Sequence, residues 1–76
     1  MNLNAPTISD LFEQLGLDND EKSINQFIER YRGLDSETKL EQAAFWNNAQ
    51  SSFIKSALTE DAEWAEVIDQ LNMRLR

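Results

Sequence analysis

Carboxylates dominate the side chains that could ligate a metal or carry a proton, because the chain has 14 Asp and Glu, no His and no Cys. Asp18, Asp20 and Glu29 stand at the first, third and twelfth places of a calcium-loop pattern, which wraps oxygen ligands around a sharp turn. The pattern then breaks. Its fifth place is Lys22, a cation where an oxygen is needed, and its sixth is Ser23, where the turn needs glycine. The aspartates read instead as helix caps, which carboxylates favour at the positive end of the helix dipole. A second gathering is Glu60, Asp61, Glu63, Glu66 and Asp69. Pairs three apart share a helix face, as a di-metal carboxylate site requires, but such sites also draw on an inward Glu-x-x-His, and this chain has no histidine. The run reads as a solvated face whose acids, with Arg74 and Arg76 at the far end, complement the dipole. A surface for a basic partner and mimicry of nucleic acid are the sharper alternatives. No metal and no cofactor are expected.

Nucleophilic catalysis has equally little to work with. Serines and threonines fall in cap and loop contexts, and no histidine is present to activate them. Lys22, Lys39 and Lys55 sit among polar neighbours, whereas a nucleophilic lysine needs desolvation. The two glycines each follow a helical stripe and read as stops, so there is no phosphate-cradling loop. The expectation is a protein that is not an enzyme.

The aromatic residues are more informative. Phe45 and Trp46 are adjacent, and neighbouring side chains on a turn or helix point in different directions, so two large rings are hard to bury together. Either both plug the end of a helical bundle, or one of them, with Tyr31 or Trp64, anchors a protein interface, where Trp and Tyr are favoured hot spots. A different class of reading is a small-molecule pocket between helices lined by Phe27, Tyr31, Trp46 and Trp64.

Four helical stripes must position these rings. Thr7 with Asp10 has capping-box spacing before Ile8, Leu11, Phe12 and Leu15, and Gly16-Leu17 is a helix stop, giving a helix over about 8–15. Asp18 and Asp20 both qualify as caps for a helix over about 19–32 with the stripe Ile24, Phe27, Ile28 and Tyr31, closed by a second Gly-Leu stop at Gly33-Leu34. Residues about 35–46 read as a loop carrying one helical turn. Asn47 and Gln50 open a helix over about 48–58 carrying Ala49, Phe53, Ile54, Ala57 and Leu58. Thr59 is the expected cap of a last helix over about 60–75 with Trp64, Val67, Ile68, Leu71 and Leu75. The fold class is all-α, a small bundle of about four short helices in a single domain spanning 1–76, with 1–6 flexible.

With these residues in view, the chain resembles a family of short bacterial proteins filed as domain of unknown function 2789. The resemblance rests on Leu11-Phe12-Glu13-Gln14-Leu15-Gly16-Leu17, Phe27-Ile28, Phe45-Trp46, Ala49-Gln50, Phe53 and the run Asp61-Ala62-Glu63-Trp64-Ala65-Glu66-Val67, and it covers nearly the whole chain. It implies a bacterial origin and a stand-alone domain, and it brings no activity, substrate or catalytic residue. Family members are similar but carry proline where this chain has Gly33, Ala44 and Asn48, and histidine where it has Tyr31. The last departure removes any histidine-dependent role here.

Bulk properties narrow the partners. Seven Lys and Arg against 14 acids give a net charge of -7, a field that repels phosphate backbones and anionic lipid, so neither nucleic acid nor a membrane is expected as a partner. No apolar run approaches the ~20 residues of a membrane span, and Met1 to Pro6 lack both a basic and an apolar export region, which points to the cytoplasm. In 76 residues the burial a chain can achieve barely offsets the cost of ordering it, so a homodimer is one assembly this arithmetic allows. The expected role is a non-enzymatic, self-associating or partner-binding interaction module with an apolar patch near Phe45-Trp46.

Overall fold

The computed structural model describes residues 5–76, which form four helices and one 3₁₀ turn. Helix α1 spans Ile8–Gln14, α2 spans Glu21–Tyr31, α3 spans Asn48–Glu60 and α4 spans Ala62–Leu75; the 3₁₀ turn is Leu40–Gln42. Among the described residues there is no strand, and the turn at 40–42 is the single helical turn expected between the second and third helices. The expected flexibility of 1–6 falls largely on 1–4, which lie outside the described residues.

Local chemistry sets most of the boundaries. At the start of α1 the Thr7 hydroxyl accepts from the Asp10 N–H while the Asp10 carboxylate accepts from the Thr7 N–H at 2.9 Å, a complete capping box. Asn47 and Gln50 repeat the arrangement at α3. Gln50 does more: its amide N–H also donates to the Leu15 carbonyl at 2.8 Å, which ties the start of α3 to the end of α1. Of the two aspartates before α2, Asp20 is the cap, accepting from the Ser23 N–H at 3.0 Å, so the helix begins two residues later than the sequence expectation. After α1, Gly16 takes φ +74°, its N–H donates to the Glu13 carbonyl and that of Leu17 reaches back to Phe12, the double closure that a left-handed residue makes possible.

Two expectations need correcting. Gly33-Leu34 does not repeat this stop. Arg32 is already extended, and the N–H groups of Gly33 and Leu34 donate to the Leu75 carbonyl at 2.7 and 2.9 Å, so they cap the end of α4 rather than their own helix. Thr59 does not cap the last helix either: α3 continues through it to Glu60, and its hydroxyl donates back to the Ser56 and Lys55 carbonyls. Asp61 closes α3 and caps α4, accepting from the Glu63 and Trp64 N–H groups, and it is the one residue between the two helices.

The core follows from the stripes. Leu11, Phe12 and Leu15 of α1, Ile24 and Ile28 of α2, Ile54 and Ala57 of α3, and Val67, Ile68, Leu71 and Leu75 of α4 are buried together with Leu40, Ala43 and Trp46 from the connecting segment. Helix α4 contributes four of these and packs on each of the other three helices. At about 1.5–3 kcal/mol for each large apolar side chain taken out of water, this shared interior is the main stabilising contribution. Arg76 reaches back across the surface, donating to the Thr38 and Asp35 carbonyls and to Asn72, and Arg74 donates to Asn25. The end of α4 is thereby latched to the segment that follows α2.

Candidate functional site

The rings of Phe27 and Tyr31 lie one turn apart on α2, and the segment after the 3₁₀ turn brings Phe45 and Trp46 onto them. Phe27 is the hub, with ring centroids 5.1 Å from Phe12, 4.7 Å from Tyr31 and 5.6 Å from both Phe45 and Trp46. Phe45 stacks on Tyr31 at 4.5 Å and meets Trp46 nearly edge to face at 4.8 Å. These spacings fall in the range where aromatic pairs gain about 0.5–1.5 kcal/mol beyond burial.

The two adjacent rings have different fates. Trp46 is 8% exposed, and its indole N–H donates to the Leu40 carbonyl at 2.8 Å, so it plugs the interior and fastens the 3₁₀ turn. Phe45, Tyr31 and Phe27 are half-buried, and Arg30 holds its guanidinium 5.5 Å from the centre of the Tyr31 ring. A shallow groove of about 280 Å³ opens beside them, lined by Phe12, Leu17, Asp18, Phe27, Arg30 and Tyr31. Trp64 is not part of this group: it meets Phe53 edge to face at 5.6 Å where α3 turns into α4. The pocket expected from Phe27, Tyr31, Trp46 and Trp64 is therefore divided between two places. The sequence pattern did not point to Phe12 or Arg30 as members of this group: Arg30 is next to Tyr31, whereas Phe12 arrives from α1 and only the fold brings it onto Phe27.

The carboxylates are arranged for solvation and capping. Glu60, Asp61, Glu63, Glu66 and Asp69 are exposed, and so are Asp18, Asp20 and Glu29. The Ser23 hydroxyl and then the Ser23 backbone N–H hold the Asp20 carboxyl below its ordinary value. Glu29 pairs with Arg32 at 3.1 Å. Among the described residues no group of three acids is gathered as a metal site would require. Lys22, Lys39 and Lys55 are exposed. What the ring cluster offers chemically is an apolar, aromatic surface with one cation at its edge.

The family described as "Protein of unknown function (DUF2789)" matches residues 1–75 of the chain. No curated protein and no solved structure matches it.

Proposed function

The chain belongs to the DUF2789 family, which hands down no activity, and from its own geometry we propose that it is a non-enzymatic protein-interaction module of the bacterial cytoplasm. The observation that carries this reading is the Tyr31–Phe45 stack: two half-buried rings, backed by Phe27 and Trp46, held at one edge of the molecule with Arg30 against them. Rings immobilised before binding lose little conformational freedom on association, and Tyr and Arg are favoured anchors. The partner is a protein, a second copy of this chain among the candidates. Nucleic acid and membrane are disfavoured by the charge of -7. Among the described residues no helix is long and apolar enough to cross a membrane.

The experiment is light scattering with size exclusion over a hundredfold concentration range, joined to capture from a bacterial lysate. Phe45→Ala and Tyr31→Ala should keep a cooperative melt and weaken association by roughly tenfold or more. Trp46→Ala should instead lower folding stability by about 3–5 kcal/mol at every concentration. A strict monomer that captures nothing, or association indifferent to Phe45 and Tyr31, would sink the proposal.

A second reading, a small-molecule binder or accessory subunit, is favoured by the groove of about 280 Å³ beside Phe27 and Tyr31. This lies just under the usual range for ligand pockets, so only a small ligand suits it. A saturable change in tryptophan fluorescence on adding a metabolite, lost in Phe27→Ala, would favour this reading over the first.

A further inference from the structure

The turn from α3 into α4 builds a second aromatic surface, and its chemistry differs from that of the first. Phe53 and Trp64 meet edge to face at 5.6 Å with both rings half-buried, and with Ser56 and Ala57 they line a hollow of about 320 Å³. Its rim is acidic: Glu60 and Asp61 complete the lining and both are exposed. Asp61 makes both of its cap bonds through Oδ1, and Oδ2 takes part in neither. Among the described residues Glu60 has no ion-pair partner. The dipoles add to this. The last carbonyls of α3 bring its negative end to the hollow, while the Asp61 carboxylate satisfies the first N–H groups of α4 and offsets that helix's positive end.

An aromatic face beside two carboxylates is complementary to a cation carried on an apolar stem, which gains from the ring quadrupole, the negative charge and the burial of its methylenes together. We propose that this hollow seats a lysine or arginine side chain from a basic segment of a partner protein, held against Trp64 between Glu60 and Asp61. The occupant is argued from charge: the molecule carries -7, and these two acids flank the rings. The surface is separate from the Tyr31–Phe45 stack, so either assignment stands or falls without the other.

The test is a titration of the isotope-labelled full chain with acetylated, amidated hexalysine at about 0.15 M salt, followed by amide and indole N–H resonances. Saturable shifts concentrated on the Trp64 indole, Phe53, Ser56, Ala57 and Glu60 are expected. Glu60→Gln and Trp64→Leu should each weaken the affinity roughly two- to fivefold, and hexaarginine should bind more tightly than hexalysine because its planar group stacks. Glu60→Gln removes an exposed charge and leaves the core intact, so it reads the site even if Trp64→Leu fails to fold. Glu66→Gln on α4, outside the hollow, should leave the affinity unchanged. Absence of saturable shifts overturns the proposal, as does equal weakening by Glu60→Gln and Glu66→Gln, which would mean general attraction to an acidic protein. Shifts of the same residues on concentrating the chain alone would assign the hollow to a second copy and overturn it too.

Discussion

Asp20 carries charge into the fold through a single cap. Its carboxylate accepts from the Ser23 backbone N–H and has the Ser23 hydroxyl beside it, and both favour the ionised form, which lowers its folded pKa. A group whose folded pKa is depressed contributes stability that is fully present above its ordinary value of 3.8 and is lost as pH falls through the folded value. Asn can cap but cannot ionise. The difference in melting temperature between the wild type and Asp20→Asn should therefore hold steady from about pH 7 to about pH 5, then shrink toward pH 3; a difference that grows with acid would contradict this. Such caps were legible in the sequence because donor and acceptor lie within three residues. The aromatic residues were legible only in part. Adjacency made Phe45 and Trp46 hard to bury together and left open whether both plug the bundle, because which ring turns inward depends on the Leu40 carbonyl that the Trp46 indole reaches, and on Phe27 arriving from another helix.

At the scale of elements, the capping boxes of α1 and α3 and the glycine closure after α1 stand where their local patterns put them. The two differences have separate causes. Thr59 and Asp61 are both good cap types, and the choice between them was made by α3, which runs on to Glu60 and leaves Asp61 alone to turn the chain. Gly33 finds its acceptor at Leu75, far along the sequence, where no local pattern could point. Asp61→Ala should thus cost about 1 kcal/mol in chemical denaturation, since it frees two N–H groups of α4, while Thr59→Ala should be near neutral or slightly stabilising inside a helix. Equal losses at the two positions would return the cap to Thr59. Gly16→Ala should cost about 1–2 kcal/mol, although open space surrounds it, because its φ of +74° is strained for any side chain.

The whole molecule leaves 5089 Å² exposed, close to the ~4,800 Å² that size scaling gives for a folded monomer of this mass, and among the described residues no polar or charged one is buried. The interior is built from the side chains of all four helices and the connecting segment. Charge pulls the other way: 14 acids face seven bases, and Arg32–Glu29 is the ion pair among the described residues, well exposed. Exposed pairs contribute little, so self-repulsion outweighs them. Melting temperature should rise as sodium chloride goes from about 0.01 M to about 0.3 M, as screening shortens the reach of the field; a fall would mean that attractive pairs dominate. The latch between α2 and α4 has one more consequence. Gly33 and Leu34 lie outside any helix, yet their N–H groups are held by the carbonyl that ends α4. Their protons should exchange with solvent deuterium at the pace of α4 letting go, so two amides in a loop report the opening of the most heavily packed helix in the protein.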